Sequence, residues 1–127
     1  MTDIREIVQL ALETAFAGVI RNDWITAEDL EAVDLPVEHI TYAQLGSEVA
    51  AYADDRPLIR RDRVQITWYG TDTTAKAKRM DTIEAAMLEA DFTPVSLWTD
   101  TGRDPITNLY TATASYDLMR EYDDGAV

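Results

Sequence analysis

Between residues 63 and 91 the hydrophobic period changes from two to about 3.6, and this change constrains the chain more than any other feature. The segment RVQITWYG alternates Val64, Ile66 and Trp68 against Gln65, Thr67 and Tyr69, which predicts a half-buried strand closed by Gly70. From Thr73 onward, Ala77, Met80, Ile83, Met87 and Ala90 recur at three- and four-residue steps, which predicts a helix with one apolar face. A strand that runs straight into a helix has one face of each to bury, so a layered arrangement of helix on sheet is required.

The flanking segments supply the partners. Over residues 3–20, Ile4, Ile7, Val8, Ala11, Leu12, Ala15 and Val19 form a broad apolar stripe at helical spacing. Thr2 or Asp3 can cap that helix, with Glu6 placed as in a capping box. Residues 21–36 read as an acidic connector, broken by Pro36, with room for one or two helical turns. Residues 37–45 alternate Ile40 and Tyr42 against His39, Thr41 and Ala43 and predict a second strand. Residues 46–57 then read as a long loop ending in a turn at Asp54, Asp55, Arg56 and Pro57. Beyond the central helix a short strand over 95–98, a turn-rich loop over 99–105 and a strand over 108–119 are expected. In the last of these, Tyr110, Ala112, Ala114, Tyr116 and Leu118 face one way and Thr111, Thr113, Ser115 and Asp117 the other. The expected fold is a single α+β domain over 1–127 in the order α-β-β-α-β-β. Two helices would cover one face of a four-stranded, mainly antiparallel sheet, and residues 120–127 would form a frayed acidic tail.

Charge and composition narrow the function. The 24 acidic against 11 basic residues give −13, which argues against a free-standing DNA- or RNA-binding domain, since such affinity comes largely from neutralising phosphates. No apolar run approaches a membrane span, and the absence of cysteine removes disulfides, thiolate nucleophiles and cysteine-based zinc sites. Asp3 and Glu6 stand where a signal peptide would be basic.

The motifs that suggest chemistry fail on inspection. His39 is the one histidine, and no G-x-S-x-G elbow accompanies it. Gly70 to Lys76 sits between strand and helix as a phosphate loop does, but Ala75 and Ala77 replace the second glycine and the magnesium-binding hydroxyl; Thr73 or Thr74 as a helix cap is the better account. Asp100, Gly102 and Asp104 resemble the start of a calcium loop, yet Thr111 occupies the position of the closing glutamate. No metal or cofactor is therefore expected.

The placement of the scarce cations is more informative. Arg56, Arg60, Arg61 and Arg63 precede the central strand, and Lys76, Lys78 and Arg79 crowd the first turns of the central helix, where they oppose its dipole. These residues, with Asp54 and Asp55, are the candidate interface; they form either a solvated face or a surface that meets an acidic neighbouring copy.

The helix IREIVQLALETAF, the strand pair HITYAQLGSEVAAYADDRPLIRRDRVQITWYG, the helix KAKRMDTIEAAMLEADF and the closing strand NLYTATASYDL together resemble the tail terminator, or tail-completion, proteins of long-tailed bacteriophages. The resemblance covers most of the chain. It implies a structural virion protein without catalytic residues, assembled as a homo-oligomeric ring, commonly a hexamer, on the head-proximal end of the tail tube. Its partners would be its own copies, the tail tube protein and the head-tail connector or head-completion protein. DNA would pass an acidic lumen without specific binding. Another neck component, or a small acidic inhibitor, immunity protein or DNA mimic, is the alternative that the net charge leaves open.

Overall fold

Asp3 opens the first helix. Its carboxylate accepts from the Arg5 backbone N–H at 2.9 Å and its carbonyl from Glu6 N–H at 3.1 Å, which satisfies donors that a helix start leaves orphaned. The Arg5 guanidinium, bonded to the same carboxylate, lowers its pKa to about 2. The computed structural model describes residues 3–15, 19–22, 38–71, 74, 76–105 and 108–121. In chain order the elements are α1 (Ile4–Ala15), β1 (Val19–Asn22), β2 (His39–Ala53), β3 (Arg56–Gly70), α2 (Lys76–Glu89), β4 (Thr93–Pro94), β5 (Thr99–Arg103) and β6 (Tyr110–Glu121).

The fold is α+β, with two helices and a mainly antiparallel sheet. The sheet has six strands rather than the four expected, in the order β1-β2-β3-β6-β4, with β5 also paired to β6. The three strands not expected, β1, β4 and β5, are all short, and one expected strand is absent from its place. Val19 lies in β1, parallel to β2, and not in the first helix, which ends at Ala15. The expected strand over 95–98 is instead a connection between β4 and β5, exposed at 95–97 with Trp98 packed on the core, and residues 99–103 of the expected loop are β5. Strands of two to five residues are too short to show a period of two. The expected tail also begins later, because Arg120 and Glu121 belong to β6. Arg21 and Asn22 of the expected connector belong to β1, and its residues 23–36 lie outside the described residues, as do Val37, Thr73 and residues 122–127.

The alternation in the central strands survives intact. Val64, Ile66 and Trp68 stand opposite Tyr116, Ala114 and Ala112 of β6, and Ile66 and Trp68 opposite Tyr42 and Ile40 of β2. These side chains form one core with Ile4, Val8 and Leu12 of α1 and Met80, Ile83 and Met87 of α2. Ala77, expected on that face, is exposed. Trp68 fills the centre by lying on Gly70: a Cβ at Gly70 would come within 2.4 Å of the indole Cζ2. On the opposite face Thr41, Thr67, Thr113 and Thr99 stand side by side across four strands. Tyr116 Oη accepts from Trp98 Nε1 at 3.0 Å and reaches Glu84 Oε1 at 3.3 Å, joining β6 to α2.

The end of α2 is fixed by its backbone. Asp91 takes a left-handed conformation (φ 72°), with its N–H on Leu88 C=O at 3.0 Å and Phe92 N–H on Met87 C=O at 3.0 Å. This is a Schellman motif with aspartate where glycine is usual, and it swings Phe92 into the core.

Candidate interaction surface

β2 and β3 pair continuously from His39↔Tyr69 to Ala53↔Arg56, so residues 46–57 are not a loop. They form the outer half of a hairpin, closed by Asp54 (φ 49°) and Asp55 (φ 63°) in a two-residue turn with both positions left-handed. The period of two breaks at residue 45 for a structural reason. Leu45 is an extra residue between Gln44↔Val64 and Gly46↔Arg63, and that bulge moves the following side chains of β2, Gly46 to Val49, to the other face. Ala50 and Leu58 are extra residues of two further bulges. Among the described residues β6 supports β3 as far as Ile59, which stands opposite Ala51, so the two-stranded part of the hairpin, the arm, runs from Tyr52 to Leu58.

A charged joint ties the arm to the body. Asp62 lies on the core side of β3, two residues before Val64, and is 0% exposed. Its carboxylate accepts from Arg60 Nε at 2.9 Å, Arg120 Nη2 at 2.8 Å and the Ser47 hydroxyl, thereby joining β2, β3 and β6. Burial alone would raise the Asp62 pKa, but the bonds from Ser47, Arg120 and Arg60 outweigh it and hold the carboxyl below its usual range. On the opposite face Asp117 takes a bidentate pair from Arg63 at 2.8 and 3.1 Å, while Arg61 reaches both Glu48 and, at 3.8 Å, Asp117. Leu45, Gly46, Ser47, Glu48, Arg61 and Arg63 line a groove of about 350 Å³ there.

The sequence-derived interface residues therefore separate into groups. Asp54, Asp55 and Arg56 lie together at the exposed arm tip, whereas Arg60, Arg61 and Arg63 are held at its base by carboxylates of the same chain. Lys76 pairs with Asp100 of β5, and Arg79 with Glu38 at 2.9 Å, so two of the three helix cations are engaged within the molecule. Lys78 is exposed. Asp62, Asp117, Ser47 and Arg120 escaped the sequence reading, although Asp62 carried a signal: it occupies a core-side position of an otherwise clean alternation.

Among the described residues Leu10 of α1 and Met119 of β6 are exposed singly, and the other exposed large apolar side chains fall in two regions. One comprises Leu45, Tyr52 and Leu58 of the hairpin; the other comprises Leu88, Val95 and Leu97 beside β4, with Leu97 79% exposed. His39 is buried and stacks on Tyr69 with ring centroids 4.6 Å apart. Among the described residues no three His, Cys, Asp or Glu side chains are grouped to hold a metal, and no helix is long and apolar enough to cross a membrane. Searches with protein-family models and against curated proteins returned no match to this chain.

Proposed function

We propose that the chain is a structural subunit of a homo-oligomeric ring, acting as a tail terminator at the head-proximal end of a bacteriophage tail tube. The observation that carries this reading is the arm. A two-stranded ribbon is marginal by itself in water, yet this one continues past its third strand and exposes Tyr52 and Leu58, which bury little in the isolated chain. Such a ribbon becomes stable when a neighbour covers it, and a repeated contact between unlike surfaces of one chain makes a ring where the rotation between neighbours closes. The resemblance of the sequence to tail terminators supplies the setting: the virion neck, with tail tube protein on one side and a head connector on the other. The net charge of −13 suits a lumen along which DNA slides without sticking.

Native mass spectrometry of the full chain, alone and with tail tube protein, tests the reading. A closed oligomer of fixed copy number that caps tubes and halts their elongation is the expected result. A monomer under every condition, or tubes that lengthen unchecked in its presence, overturns it.

A further inference from the structure

We infer that the outer half of the β2–β3 hairpin, residues 46–61, opens as one unit while the core stays folded, with Asp62 as the latch that closes it and the Leu45–Gly46 bulge as the hinge. The inference concerns the single chain and does not depend on the ring reading.

The core stops at the latch. Residues 43–61 include no buried residue and none that belongs to the core cluster, whereas Asp62 is fully buried and Val64, next on its side of β3, begins the apolar alternation. A segment held by its ladder and side-chain bonds, without a second layer, opens at lower free energy than a packed core. The bonds that tie it to the body converge on one carboxylate. Ser47, directly opposite Asp62 on β2, Arg60 on β3 and Arg120 near the end of β6 all donate to it. One residue inward, Asp117 holds Arg63 on the other face and anchors the body side of the joint.

Charge makes this joint releasable. Separating packed apolar side chains forfeits their burial outright, whereas a carboxylate and guanidiniums drawn apart into water regain the hydration that burial cost them. The hinge lies at the same level. Leu45 is the extra residue at which the ladder is interrupted, and Gly46 beside it, opposite Arg63, would meet nothing within 4 Å if it carried a Cβ. The backbone can therefore turn at 45–46 without disturbing Gln44↔Val64 or the pairs inward of it.

Hydrogen exchange of the full chain, read by mass spectrometry on peptides from the two halves, tests this. In the wild-type chain the hydrogen-bonded amides of 47–61 should exchange through openings that leave those of 64–69 and 111–117 protected. Asp62→Asn should speed the outer set roughly tenfold or more, and Ser47→Ala, which deletes one donor at an exposed position, should speed it several-fold. Ile83→Val in the core should speed the inner set roughly fivefold and leave the outer set unchanged. One exchange free energy for both halves, moved alike by Ile83→Val, shows a single cooperative unit and overturns the inference. Outer amides indifferent to both Asp62→Asn and Ser47→Ala leave the latch without a role and overturn it too.

Discussion

The two halves of the β2–β3 hairpin share one pair of strands and have opposite fates. In the inner half Ile40, Tyr42, Val64, Ile66 and Trp68 alternate cleanly and all are buried, because α1, α2 and β6 pack on them. In the outer half Tyr52 is 65% exposed and Leu58 47%, the register shifts three times, and charged pairs replace apolar ones. Backbone pairing is common to both. What separates them is the presence of a second layer, so the inner half is specified by burial and the outer half by its turn, its bulges and its joint at Asp62.

Substitutions at three levels can break this contrast or sharpen it. Trp68→Ala in the inner half removes the largest fully buried side chain among the described residues and should cost about 3–5 kcal/mol by urea denaturation. A loss below about 1 kcal/mol would show that the inner half does not depend on its layer. Asp62→Asn at the joint leaves Arg60 and Arg120 without their carboxylate and should cost about 2–3 kcal/mol at neutral pH. Because the folded-state pKa of Asp62 is depressed, its contribution is present above the ordinary carboxylate range and is lost as pH falls through the folded value. The variant should thus show a flatter acid limb in stability against pH; an unchanged limb would assign acid sensitivity elsewhere. Leu58→Ser in the arm should change monomer stability by no more than about 0.5 kcal/mol, and a larger change measured in dilute solution would mean the arm is already packed.

The same contrast explains what could be read from the sequence. The period of two in residues 64–68 and 110–118, and the helical stripes through Val8 and Met80, marked the core elements because burial writes itself into alternation. The outer half was read as a loop because the Leu45 bulge inverts the faces of β2, after which polar residues occupy both sides. β1, β4 and β5 were missed for their brevity. Of the candidate interface, the cation clusters were visible in the chain, but not which would be engaged internally. Lys76 of α2 with Asp100 of β5, and Arg63 with Asp117 across the β3–β6 register, join residues far apart in sequence that only the tertiary fold brings together.

That register also orders the folding of the chain. Each β2–β3 pair closes a short loop, from the two residues at Asp54 and Asp55 outward, whereas Gly70↔Tyr110 and Ile59↔Glu121 enclose the whole of α2, β4 and β5. Loop closure costs more entropy as the enclosed chain lengthens, so the hairpin can zip from its tip before β6 arrives to complete the sheet. During synthesis both strands of the hairpin are made before β6, and the surface beside β4, which leans on Ser115, is completed only when β6 has docked.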